Sequence, residues 1–288
     1  MDYQPHRYRS ACGRLDLSAR DYPVPGGGEA PTLLLMHGLT RNSADFEPLA
    51  QHLAGRYRLI VPDQRGRGLS QDDPDPANYR PDVYARDMFA LLDDLGIGEA
   101  GLIGTSMGGL MAMVMTAMQP ARVRAIVLND IGPVLAPEGL ARIGGYVGPA
   151  EPFSGWDEAA ERCAAINAEA FPGFGARDWL SFARRLCRER DDRKVEFAYD
   201  PGIAAAFAQD GAAQPDLWPL WQALDGKPVL LLRGALSDLL SPETAAAMQN
   251  RHRGPYGFAE IPGRGHAPLL DEPEAVAAIE TFLAEHMT

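Results

Sequence analysis

Six short apolar runs punctuate the chain, at Thr32–Met36, Arg58–Val61, Ala100–Ile103, Val123–Leu128, Pro228–Leu232 and Tyr256–Ile261. Apolar residues at consecutive rather than alternate positions predict strands buried on both faces of a sheet. Between the runs, apolar residues return at helical spacing. Phe46, Leu49 and Leu53 mark a helix in Asp45–Leu53, and Val83, Met88, Leu91, Leu92 and Leu95 mark one in Tyr79–Leu95 that stops at Gly96. Leu110–Met118, Pro242–Asn250 and Pro273–His286 read as further helices, and weak alternation over Arg7–Tyr22 predicts a leading hairpin. Strands and helices that alternate through short connections predict repeated β-α-β units and a mostly parallel sheet.

Between Val134 and about Leu224 the rhythm changes. No buried-strand signal occurs there, and helices are predicted over 156–171, 176–190, 201–209 and 217–224. Trp156, Phe171, Phe174, Trp179, Phe182, Phe197, Tyr199, Phe207, Trp218 and Trp221 crowd this stretch. Most of them are expected to pack structurally. The chain therefore divides into a sheet core, 1–133 and 224–288, and a helical insertion, 134–223.

At 288 residues the chain can bury one large core carrying an insertion. With 27 Lys and Arg against 39 Asp and Glu, the formal charge is −12. That balance argues against nucleic acid and anionic membrane surfaces as partners, because both need clustered cations. Cys12, Cys163 and Cys187 are odd in number and far apart, so they suggest neither a disulfide framework nor a metal site. The polar N-terminus lacks the apolar core of a signal peptide, and no apolar window is long enough to span a bilayer. A cytoplasmic protein without metal or organic cofactor is expected; monomer and homodimer both stay open.

Candidate chemistry centres on Gly104-Thr105-Ser106-Met107-Gly108, which sits between a predicted strand and a predicted helix. Strand, sharp turn and helix is the setting in which a G-x-S-x-G sequence lifts a serine clear of a sheet. The glycines leave room where side chains would collide, and the Met107 N–H stands at a helix N-terminus, where it can face developing negative charge. A second such donor is expected from Leu39 N–H, in the loop after Thr32–Met36. A serine hydroxyl needs a base, and the base an orienting carboxylate. Among six histidines, His266 follows the last predicted strand in a glycine-rich loop, whereas His37 more simply shapes its own turn. For the carboxylate, Asp238, a few residues past Pro228–Leu232, is the first choice, and Asp130, just past Val123–Leu128, is the competitor. Arg41, near the oxyanion loop, reads first as a solvated surface arginine and second as a receiver for a substrate carboxylate.

These segments, together with Leu34-Leu35-Met36-His37-Gly38, Asp63-x-Arg65-Gly66-x-Gly68-x-Ser70, Arg233-Gly234…Asp238 and Gly265-His266, resemble the α/β-hydrolase superfamily over nearly the whole chain. The resemblance implies a mostly parallel eight-stranded sheet flanked by helices, with a helical cap inserted after the sixth strand. It also implies a Ser106–His266–Asp238 triad, and a supporting role for Asp63–Ser70.

A serine at the elbow argues against members that use aspartate there, such as haloalkane dehalogenases and epoxide hydrolases. The expected activity is that of a carboxylesterase-like enzyme acting on a small or medium, largely apolar ester. Hydrolases of carbon–carbon bonds in aromatic ring-fission products usually show a glycine-rich oxyanion loop and an asparagine before the serine. Here the corresponding residues are Gly38-Leu39-Thr40-Arg41-Asn42 and Thr105. Lactonases and perhydrolases share the triad and are not separated by it, and some members of this fold are small-molecule receptors.

Overall fold

A computed structural model describes residues 2–27, 30–205 and 215–288. β1 (Gln4–Arg9) and β2 (Asp16–Tyr22) form the leading hairpin. β3 (Thr32–Met36), β4 (Arg58–Asp63), β5 (Ala100–Thr105), β6 (Val123–Asn129), β9 (Val229–Gly234) and β10 (Tyr256–Ile261) complete an eight-stranded sheet of order β1-β2-β4-β3-β5-β6-β9-β10. Only β1/β2 and β2/β4 pair antiparallel; the other neighbours are parallel.

The strands read as solid apolar runs because both faces are covered. Leu34 and Met36 of β3 join one buried cluster with Met88 and Leu91 of α2 (Pro81–Asp94) and Met111 and Met115 of α3 (Met107–Met118). Leu33 and Leu35 point the other way, to Leu49 and Leu53 of α1 (Glu47–Leu53) and to Ile279 and Leu283 of the closing helix Pro273–His286. That alternation is the two-residue period of a pleated strand, seen here with an apolar layer on each side.

Between β6 and β9 the chain leaves the sheet. It forms α4 (Pro137–Gly144), α5 (Trp156–Asn167), α6 (Ala176–Leu186), the antiparallel pair β7 (Cys187–Glu189) and β8 (Val195–Phe197), and α7 (Trp218–Gln222). A third apolar cluster, including Phe153, Cys163, Phe171, Trp179, Phe182 and Leu186, gives this insertion its own core. The β7/β8 pair departs from the sequence expectation. Its strands are three residues each, too short for any period to register. The helix expected over 201–209, and Phe207 with it, lies partly outside the described residues. α8 (Pro242–Arg251) and α9 (Pro273–His286) follow in the core. No helix among the described residues is long and apolar enough to cross a membrane.

Candidate active site

β5 delivers Ser106 to the carboxyl edge of the sheet, and α3 begins at the next residue. The turn is tight enough to hold Ser106 at φ 52°, ψ −115°, a conformation that costs roughly 1–3 kcal/mol for a non-glycine residue. Gly104 and Gly108 make it possible. A Cβ on Gly108 would stand 2.0 Å from the Met36 carbonyl oxygen, and one on Gly104 would stand 2.3 Å from the Gly108 oxygen. Helix α3 thus rests directly on β3 and β5.

His266, in the loop after β10, reaches both other groups. Its Nε2 is 2.9 Å from Ser106 Oγ, and its Nδ1 is 2.8 Å from Asp130 Oδ2. The loop is tied down on both sides: Gly265 N–H donates to the Ala170 carbonyl (2.8 Å), and Asn129 Nδ2 donates to the Pro268 carbonyl (2.8 Å).

The carboxylate facing His266 is therefore Asp130, not Asp238, which corrects the first choice made from the sequence. β6 and β9 are neighbours, so the chain ends leaving them emerge side by side and either can supply the acid. Asp130 leaves β6 at φ 55° and is fully buried. The β9 loop contributes donors to it instead: Gly234 N–H to Oδ1 at 2.8 Å and Ser237 Oγ to Oδ2 at 2.6 Å. Asp238 turns away and takes Arg142 of α4 in a two-pronged pair, at 2.6 and 2.9 Å. Burial raises the Asp238 carboxyl pKa, but the Arg142 hydrogen bonds and charge outweigh it and leave the group below its ordinary value. Ser237 and Asn129 escaped the sequence reading because hydroxyl and amide supports carry no spacing signal.

Met107 N–H opens α3 and so has no helical carbonyl to bond, and Leu39 N–H makes no hydrogen bond to another described residue. The Leu39 loop is held from behind by Arg67, a buried guanidinium that donates to the Leu39 carbonyl (2.9 Å), the Arg65 carbonyl (2.7 Å) and Tyr84 Oη (2.9 Å). Its Nη2 also lies 3.6 Å from Met107 Sδ. His37 is shut in at the root of the same loop. Its Nδ1 is 2.7 Å from the Gly38 carbonyl, and its Nε2 accepts the Gln64 N–H at 3.0 Å. These partners require the neutral ring, and burial pushes its pKa down to about 3.

Over Ser106 and His266 opens a cavity of about 740 Å³, walled by core and insertion together. Its lining is mainly apolar, with Leu110, Ile131, Leu140, Ile143, Leu186 and Phe197 among the contributors. No group of three or more His, Cys, Asp or Glu among the described residues is arranged to hold a metal.

A strained serine turn at the carboxyl edge of this sheet, faced by a histidine from its last loop, defines a hydrolase architecture. The chain belongs to the α/β hydrolase fold family, whose model matches residues 31–273. It is 35% identical to a 3-hydroxybutyrate-oligomer hydrolase of Cupriavidus necator, over 87% of each chain. It is 33% identical to a 2-(acetamidomethylene)succinate hydrolase of Mesorhizobium japonicum, over 94% of this chain and 92% of the relative. Among solved structures, an α/β hydrolase of Novosphingobium aromaticivorans is 42% identical and superposes with a TM-score of 0.91, covering 98% of both chains.

Proposed function

We propose that this hydrolase cleaves a small-to-medium carboxylic ester through an acyl-enzyme on Ser106. The reading is carried by one observation: His266 lies within hydrogen-bond distance of the Ser106 hydroxyl on one ring nitrogen and of the Asp130 carboxylate on the other. His266 Nε2 takes the hydroxyl proton as Ser106 Oγ bonds to the ester carbonyl carbon. Asp130 fixes the tautomer through Nδ1–H and stabilises the imidazolium. The oxyanion is received by the N–H groups of Leu39 and Met107, each such donor contributing about 3 kcal/mol in a preorganised site. The tetrahedral adduct collapses, the C–O bond breaks, and the alcohol leaves with the His266 proton. A water deprotonated by the same ring then attacks the acyl-enzyme and frees the acid. The insertion acts as a cap whose apolar wall receives the acyl chain and keeps bulk water away. The similarity to a hydrolase of 3-hydroxybutyrate oligomers, whose units are joined by ester links, supports the same reaction class.

Purified protein is expected to hydrolyse a chromogenic short-chain ester and to be labelled at Ser106 by a fluorophosphonate, with both signals absent in Ser106→Ala. Neither turnover nor labelling, in a protein whose melting a small ligand still shifts, would overturn the esterase reading in favour of a receptor.

A further inference from the structure

Several enclosed arginines in this chain spend their donors on carboxylates and carbonyls. Arg65 bonds Asp73 along one edge and Asp87 along another, Arg142 grips Asp238, and Arg233 bonds Glu260 and the Leu240 carbonyl. Arg41 is different. Its side chain is only 14% exposed, yet none of its N–H groups makes a hydrogen bond to another described residue. The nearest carboxylate, Asp45, stands 3.5 Å from Nε, beyond the roughly 2.7–2.9 Å of a charge-assisted hydrogen bond. Nη1 is closed off from solvent without a partner, and the guanidinium carbon lies 4.4 Å from the centre of the Phe182 ring of α6. A guanidinium offers five donors, and a buried one left unused forfeits its hydration with no return. An underused guanidinium in the wall of an open cavity is placed to serve a ligand.

The position indicates which ligand. Arg41 belongs to the cavity wall that also holds Ser106 and His266. Its Cγ and Ser106 Cβ flank Gly38 together, at 3.4 and 3.8 Å from where a Cβ would sit on that glycine. The Arg41 side chain therefore leaves the backbone beside the Ser106 turn, in the wall of a cavity that is otherwise chiefly apolar. Asp45 faces the Nε side, and Nη2, which unlike Nη1 is not closed off from solvent, is the donor left for a second carboxylate.

Resting on the serine-hydrolase reading, we infer that Arg41 is a substrate-binding residue and that the substrate is an ester carrying a free carboxylate close to the scissile carbonyl. A half-ester of a short dicarboxylic acid is the simplest member of the class. A planar carboxylate matches the guanidinium fork, which a lysine does not reproduce.

Monobutyl glutarate and butyl pentanoate differ chiefly by that carboxylate, and acid release from each can be followed by titration at constant pH. The wild-type protein is expected to favour the glutarate roughly ten- to hundredfold in kcat/KM, the range a charge-assisted hydrogen bond supports. In Arg41→Met that ratio should fall at least tenfold, with Arg41→Lys between the two. Because Arg41→Met also loses its contact with Phe182, calorimetric binding to Ser106→Ala gives a second reading that leaves Arg41 intact: monobutyl glutarate should bind at least tenfold more tightly than butyl pentanoate. Equal handling of the two esters by the wild type and equal binding by Ser106→Ala overturn the Arg41 assignment and leave the esterase reading standing. No turnover of either ester, with Ser106 unlabelled, overturns both.

Discussion

Replacing Asp130 by asparagine should nearly abolish turnover, whereas the same change at Asp238 should barely touch it. The difference follows from the hydrogen bonds each carboxylate accepts. Asp130 Oδ1 takes the Gly234 N–H at 2.8 Å, and Oδ2 takes both Ser237 Oγ and His266 Nδ1. An asparagine can keep its oxygen toward Gly234, and its NH2 then faces Nδ1. That forces the imidazole proton onto Nε2, the nitrogen that must accept from Ser106. Turning the amide over restores the tautomer but sets NH2 against the Gly234 N–H in a fully buried site, at about 1–3 kcal/mol. The wrong tautomer is therefore the stable one. A comparable exchange in a serine protease triad lowers kcat about 10⁴-fold, close to 5 kcal/mol of barrier.

The Asp238–Arg142 pair is partly solvated, with side chains 33% and 21% exposed. Its loss should cost on the order of 1 kcal/mol of stability, seen as a few degrees in Tm, and only a few-fold in kcat. Initial rates on a chromogenic ester, with melting curves for both variants, decide the matter. If Asp238→Asn proves the more damaging to kcat while remaining folded, the assignment of the acid is wrong.

His37, neutral when folded with a pKa near 3 against an ordinary value near 6.5, makes the unfolded chain bind the extra proton between those limits. Stability should therefore fall as pH drops from about 6.5 toward 3, by at most about 5 kcal/mol, and urea melts of His37→Gln should lack that component; parallel pH curves for the two proteins would refute it. Arg67→Met removes the donor to the Leu39 carbonyl, and kcat should fall roughly ten- to hundredfold with KM little changed, as expected when an oxyanion donor loosens. An unchanged kcat in that variant would mean that the Leu39 loop holds itself. Gly108→Ala sets a Cβ 2.0 Å from the Met36 oxygen, so α3 and β3 must part and the variant should be insoluble or melt far below the wild type; a normal melt would show that the elbow is looser than drawn.

Much of the fold was legible because its signals are local. Leu33-Leu34-Leu35-Met36 is apolar at every position because both faces of a parallel sheet are covered, and that requirement is written in consecutive residues. The Ser106 turn is equally local, since Gly104 and Gly108 carry no side chain where the helix meets the strand. Arg41 is the opposite case. Beside Gly38-Leu39-Thr40 it has the look of a loop arginine in water, and Phe182 of α6, far along the chain, helps to enclose it. Sequence spacing holds no record of an enclosure made by an insertion. The β7/β8 pair was missed for a related reason, because Cys187-Arg188-Glu189 is paired by its partner strand rather than by any pattern of its own.

The exchange of roles between Asp130 and Asp238 joins these two kinds of information. A histidine at the end of β10 needs a carboxylate in one small volume, and the ends of the adjacent strands β6 and β9 both border it. With Asp130 in that volume, the β9 loop is free to supply Ser237 as a donor to the acid and to turn Asp238 outward to Arg142 of α4. One short loop then does two things: it fixes the acid beneath His266, and it ties the first helix of the insertion to the sheet. Placing the carboxylate on β6 thereby links the group that faces His266 to the anchoring of the cavity wall. A carboxylate read one strand too far along belongs to the same constellation, acting on the insertion instead of on the imidazole.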